Sequence, residues 1–117
     1  MTKQEIFDMA VDGLHKQEWR QALNGKKCVY LAENGDKCAV GHCIPEGKYN
    51  PEWDLESAAG DRVLRSLFGP LGRKVEEFVM ELQQAHDTAG DPMRTRLAAV
   101  GVSHGLTLPA CLTSLVP

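Results

Sequence analysis

The stretch CVYLAENGDKCAVGHCIP, residues 28–45, decides how the fold is read. It holds three of the four cysteines, Cys28, Cys38 and Cys43, and one of the four histidines, His42. Two β-capable runs flank Asn34-Gly35, the strongest short hairpin signal. The spacing predicts a β-hairpin over about residues 28–44, ended by Pro45.

The register of that hairpin sets what the thiols can do. With Asn34-Gly35 as a two-residue turn, Cys38 faces Leu31 and Cys28 faces Gly41. Side chains alternate along a strand, so Cys28 and Cys38 then lie on opposite faces and share no metal. Val29, Leu31, Cys38 and Val40 form the apolar face. With Glu33-Asn34-Gly35 as a three-residue loop, the pairing slides by one. Cys38 then faces Tyr30, and Cys28, Cys38 and His42 line one face within diagonal reach of a metal. Structural zinc sites ordinarily carry two closely spaced half-sites, whereas only Cys38-x-x-x-His42 qualifies here. Free cysteine is a small, usually buried hydrophobe. The reading adopted is thiols packed in a core with no cofactor; zinc on Cys28, Cys38 and His42 is the alternative.

Working outward, 117 residues with 43 % apolar and 25 % charged content suit a single globular domain spanning 1–117. The net charge of −3 provides no global basic surface for nucleic acid. Charge is uneven: Lys16, Arg20, Lys26 and Lys27 gather before the hairpin, and Glu46, Glu52, Asp54, Glu56 and Asp61 follow it. The start MTKQEIFDMAVDG lacks the pattern of a signal peptide, and no apolar stretch reaches membrane-spanning length. A cytoplasmic protein with reduced thiols is expected.

Thr2 and Glu5 form a capping box, predicting a helix from Lys3. Phe7, Val11, Leu14, Ala22 and Leu23 extend its stripe to a stop at Asn24-Gly25, with Gly13 weakening the middle. The stretch IPEGKYNPEWDLES reads as an ordered loop pinned by Tyr49 and Trp53. A helix near 58–68 is expected to bury Val63, Leu64 and Leu67. Leu71, Val75, Phe78, Leu82, Ala85 and Ala89 then make one continuous helix face. Asp91-Pro92 opens another helix, with Asp91 as N-cap, a stripe of Met93, Leu97 and Val100, and Gly105 closing it. A short apolar helix follows Leu108-Pro109 to about Leu115.

His86-Asp87 is the dipeptide of helical metal-dependent phosphohydrolases, which need further converging ligands. His104 continues a buried stripe, and Cys111 sits among leucines. The tail from Arg94 has the outline of a helix-turn-helix, but its second helix, LPACLTSLVP, lacks the charged, Asn and Gln side chains that read bases and grip phosphates.

The string from CVY through the glycine turn to KCAVGHCIP, then Tyr49, then LQQAHD at 82–87, resembles a family of small uncharacterised proteins of bacteriophage genomes and bacterial prophage regions. The shared pattern is C-x-Y, a glycine turn, K-C-A-V/I-G-x-x-I-P, a following tyrosine and L-Q-x-x-H-D. It spans residues 28–87 and carries over no catalytic or metal residue; positions 42 and 43 fall in its free slots. The resemblance implies a phage-type accessory protein in the host cytoplasm, with Cys28, Tyr30, Cys38 and Tyr49 serving the fold.

The expected architecture is α+β: a mostly helical single domain with one β-hairpin packed against four or five helices. The expected function is a non-enzymatic protein-interaction module, an inhibitor of a host or defence protein. Its expected contact surface is Tyr49, Trp53, Asp54 and Glu56, because aromatic residues are enriched at interface hot spots. The alternative is a small zinc-binding protein or metal-dependent hydrolase using the hairpin Cys/His or His86-Asp87.

Overall fold

Thr2 and Glu5 start the first helix by satisfying each other's backbone. The Thr2 hydroxyl accepts from Glu5 N at 3.1 Å, and Thr2 N donates to the Glu5 carboxylate at 3.0 Å. In the computed structural model, which describes residues 2–25, 27–44, 68–85 and 90–113, helix α1 runs Lys3–Lys16. Its buried stripe is Ile6, Phe7, Ala10, Val11 and Leu14.

The helix stops well short of Asn24-Gly25. Glu18 and Trp19 adopt the left-handed region at φ 58° and 60°, where a β-carbon crowds the following carbonyl. Tertiary contacts hold this turn in place. Trp19 N donates to Leu14 O at 2.8 Å, and Gly90 N donates to Trp19 O at 3.0 Å. The Trp19 indole is buried, 5.5 Å from the His15 ring and 5.5 Å from the Arg94 guanidinium. Gly25, at φ 63°, instead turns a two-residue antiparallel ladder that pairs Leu23 with Cys28 and Asn24 with Lys27.

That ladder corrects the α+β expectation. Residues 28–44 do not form a β-hairpin, and the described residues are mostly helical with no sheet beyond this fragment. Two local events prevent the hairpin. Cys28 spends its backbone pairing on Leu23, on the N-terminal side. The returning chain then leaves the extended conformation after Cys38 and enters a 3-10 turn over Gly41–Cys43. Between them is a tight turn with a single bridge, Leu31 to Lys37. Gly35, at φ 92°, donates to Ala32 O at 3.0 Å, and Asn34 Oδ1 accepts from Asp36 N at 3.0 Å. This is the three-residue loop: Cys38 N bonds Tyr30 O at 3.4 Å rather than facing Leu31.

The second helix is the one most plainly written in the sequence. Helix α2, Arg73–Ala85, buries Phe78, Leu82 and Ala85 as the four-three spacing requires, together with Val79 and Gln83. Leu71 lies outside it, in a 3-10 turn over Gly69–Leu71. Helix α3, Asp91–Ser103, begins one residue earlier than expected in capping terms: Gly90 is the N-cap, and Asp91 bonds Arg94 at 3.1 Å. Its C-terminus closes on Gly105 at φ 68°, with Leu106 N to Gly101 O at 2.9 Å and Gly105 N to Val102 O at 3.0 Å. That pair of bonds is a Schellman closure. Helix α4 is the short Ala110–Thr113 segment, anchored by buried Leu112. The helix expected near 58–68 lies outside the described residues except for buried Phe68.

Helix α1 packs against the 41–43 turn and α2, α2 against α3, and α3 against α4. Phe7 and Phe78 meet near the centre, with ring centroids 6.5 Å apart. The 38–43 turn is wedged under α1: the Cys43 thiol donates to Ile6 O at 3.6 Å, and Val40 N donates to the buried Gln83 side chain at 3.1 Å. Gly41 allows the wedge to close, because a β-carbon there would stand 2.2 Å from the Tyr30 carbonyl oxygen. Backbone cannot yield as a side-chain tip can. Gly41→Ala is therefore expected to cost about 3 kcal/mol of stability, read from a urea unfolding midpoint.

Candidate functional site

Gln17, the first residue after α1, is 7 % exposed, and its amide makes hydrogen bonds in four directions. Its Nε2 donates to Arg20 O and Lys37 O, both at 2.7 Å, and its Oε1 accepts from Lys37 N at 3.0 Å. Lys37 is flanked by bonds to the opposite side of its own turn, so its N–H and C=O point away from Leu31 and toward Gln17. The side-chain amide thus takes the place of a neighbouring strand. Two carbonyls at one end and an N–H at the other also fix which end of the amide is oxygen.

His42 completes this arrangement. Its Nε2 lies 2.9 Å from Gln17 Oε1, an acceptor, so Nε2 carries the proton and donates. The imidazole lies flat on α1 because residue 13 has no side chain. A β-carbon at Gly13 would sit 2.2 Å from His42 Nδ1 and 2.3 Å from Cγ. The glycine that weakens the helix is the seat of the histidine.

The outer part of the site is ionic. Arg20 grips buried Asp36 with two bonds, Nε to Oδ2 at 3.0 Å and Nη2 to Oδ1 at 3.1 Å. Asn34 adds a third at 3.1 Å, and Arg20 also reaches Glu18 at 3.3 Å. The Arg20 hydrogen bonds hold the Asp36 carboxyl below its ordinary range against the opposing effect of burial, with the Arg20 charge, Asn34 and the His42 charge assisting. Along α1, Asp12 and Lys16 pair at 3.0 Å on the surface. Met9, Asp12, Gly13, Lys16, Gln17, Arg20, Asp36 and His42 line an open groove of about 460 Å³.

The residues expected to carry chemistry are distributed elsewhere. Cys38 is fully buried, and its sulfur accepts from Gly41 N at 3.3 Å. Cys43 is buried beside it, and burial, with the neighbouring Cys38 adding, pushes its thiol up to about 12. A thiol so raised stays protonated and serves as a donor, here to Ile6 O and to Ala39 O at 3.5 Å. Cys28 joins the ladder through its backbone. Cys38 therefore faces the interior while His42 faces Gln17, and among the described residues no group of three or more His, Cys, Asp or Glu is placed to hold a metal ion. Cys111 is half-buried, with burial raising its thiol. Tyr49, Trp53, Asp54 and Glu56 lie outside the described residues, as do His86 and Asp87. Among the described residues no helix is long and apolar enough to cross a membrane.

No protein-family model, curated protein or solved structure matches this chain. The site is therefore read from its own geometry.

Sequence reasoning passed over Gln17 and Asp36, which organise this face. Asp36 had a legible signal in the Asn34-Gly35-Asp36 turn, because asparagine readily bonds the backbone two residues on. Gln17 had none, since a glutamine in a helical pattern reads as solvent-facing.

Two outcomes follow from this geometry. Replacing a mid-helix glycine by alanine ordinarily gains about 1 kcal/mol. Gly13→Ala is expected instead to lower the unfolding midpoint and to change the His42 imidazole nitrogen NMR shifts as the ring leaves Gln17; a gain in stability would overturn this placement. For Asp36, a carboxyl lowered in the folded state contributes stability above its unfolded value of 3.8 and loses it as pH falls through the still lower folded value. The stability difference between wild type and Asp36→Asn should accordingly be flat near neutrality and shrink below about pH 4 in urea titrations.

Proposed function

We propose that the chain is a small non-enzymatic module that binds a protein partner through the groove between α1 and the 34–42 turn. The observation that carries this reading is the fixed polar frame of that groove. Gln17, Arg20, Asp36 and His42 hold one another by hydrogen bonds of 2.7 to 3.1 Å. Around that frame, Met9, Asp12 and Lys16 stay exposed. A surface whose charges are already positioned loses little freedom on association, which favours specific recognition. Charges of both signs around a methionine suit a protein surface better than a uniformly anionic nucleic acid.

The resemblance of residues 28–87 to small phage and prophage proteins supports the rest of the proposal. The module is a phage-type accessory protein acting in the host cytoplasm, as an inhibitor of a host or defence protein. In this reading, Tyr49, Trp53, Asp54 and Glu56, which follow the turn closely in sequence, extend the contact surface.

Affinity capture from a bacterial lysate tests the surface by comparison. The three baits are wild type, Met9→Glu/Lys16→Glu and Tyr49→Ala/Trp53→Ala/Asp54→Asn. The Asp12–Lys16 pair is exposed and worth little to the fold, so the first variant should remain folded. The groove variant is expected to lose the protein captured by wild type by about ten-fold or more, as truncation of an interface anchor does. Equal capture by all three baits would overturn the proposal.

A further inference from the structure

A second constellation stands where the first turn of α1 meets the end of α3. Gln4 holds these segments together, donating to Thr107 O at 3.0 Å and accepting from Thr107 N at 2.9 Å. The Schellman closure leaves His104 as the C-cap of α3, facing α1 and α2. Its ring meets the Phe78 ring edge-on, centroids 4.8 Å apart. On one side, Lys3 Nζ lies 3.3 Å from His104 Nδ1 and 5.9 Å from the centroid of the Phe78 ring. On the other side, His104 Nε2 bonds the Glu81 carboxylate.

The proton positions follow from the partners. Lysine only donates, so Nδ1 is the acceptor; carboxylate only accepts, so Nε2–H is the donor. Carboxylate, imidazole and amine thus stand in a row, with the acid orienting the ring and the ring's lone pair aimed at the amine. Nucleophile, base and orienter in hydrogen-bond sequence are the structural mark of an activated nucleophile. The row opens on a groove of about 500 Å³ lined also by Lys74, Glu77, Met80 and Gln84. Lys74 adds a second cation to its wall, while the Glu77 carboxylate is engaged by Arg73 at 3.3 Å.

We propose that Lys3 is a base-assisted nucleophilic amine, and that this groove takes an anionic acyl donor of the acyl phosphate class with its phosphate against Lys74. His104 Nδ1 takes one proton from the Lys3 ammonium, and the resulting imidazolium is stabilised by Glu81. The freed amine lone pair forms the nitrogen–carbon bond to the acyl carbonyl. The carbon–oxygen bond to phosphate breaks, and its electron pair leaves with the phosphate. The phosphate takes the proton held on Nδ1, and the second amine proton passes to water. The product is an amide on Lys3, formed once per chain and without redox change. Acylation removes the Lys3 charge and with it the attraction to the Phe78 face. This site is separate from the groove assigned to partner binding, so either proposal can fail alone.

The test is time-resolved peptide mass spectrometry of the full chain incubated with acetyl phosphate. Lys16 in the same molecules, outside this groove, acts as the internal standard. Lys3 should be acetylated about a hundred-fold faster than Lys16, the lower end of general-base assistance. Glu81→Gln and His104→Gln should each bring Lys3 down to the Lys16 rate while Lys16 itself is unchanged. Glu81 is half exposed on α2, so Glu81→Gln remains decisive if loss of the His104–Phe78 contact loosens the other variant. Lys74→Ala should lower the Lys3 rate several-fold more with acetyl phosphate than with the uncharged donor N-acetoxysuccinimide, and an equal effect with both donors would overturn the phosphate contact. Labelling of Lys3 no faster than Lys16, or unaffected by Glu81→Gln, would overturn the assignment.

Discussion

The Gln17 side-chain amide is the interaction on which this face of the molecule depends. Ending α1 at Lys16 leaves backbone groups to satisfy at the helix end and along the outer edge of the 31–37 turn. One buried amide satisfies Lys37 on both its N–H and C=O, takes Arg20 O, and orients His42. Each neutral hydrogen bond contributes about 1 kcal/mol net, but an unmet buried group costs about 1–3 kcal/mol. The larger consequence of Gln17 is therefore what it prevents. With the amide in place, the left-handed backbone at Glu18 and Trp19 is held, and Arg20 is delivered to Asp36.

The turn around Cys38 is secured by the same logic from the other side. Sulfur accepts from Gly41 N, Gln83 accepts from Val40 N, and the Cys43 thiol donates up to Ile6 O under α1. Three glycines work by absence: Gly13 seats the His42 ring, Gly41 admits the Tyr30 carbonyl, and Gly101 admits Phe7 and Leu108. The KCAVG core of the sequence pattern acts here as a packing motif, with its thiol and glycine serving backbone geometry. Lys16 and His42 line one groove, and Lys3 and His104 line another.

Local signals were legible where a periodic apolar stripe or a reciprocal cap settled the matter. The Thr2–Glu5 box and the Phe78, Leu82, Ala85 spacing carry their own physical cause: α1 starts at Lys3 and α2 buries that stripe. The Asn-Gly signal was legible as a turn but not as a hairpin. Asn34-Gly35 does reverse the chain, through the three-residue loop rather than the two-residue one. A hairpin also needs extended partners on both sides, and the backbone of Cys28 and of Val40–Cys43 is claimed by Leu23, Gln83 and the 3-10 turn. Leu23 and Gln83 lie elsewhere in the chain, so nothing within residues 28–45 could reveal them.

The sequence by itself determined where α1 starts, the buried stripes of α1 and α2 and the reversal at Asn34-Gly35, because each rests on interactions within about one turn of the chain. Tertiary structure decided where α1 ends, which register the turn takes and which side chains meet. Gln17 touches Lys37 and His42, and Lys3 touches His104, 101 residues away. Such pairs form only after the helices pack, since burial gives a lone polar side chain its reason to choose a partner.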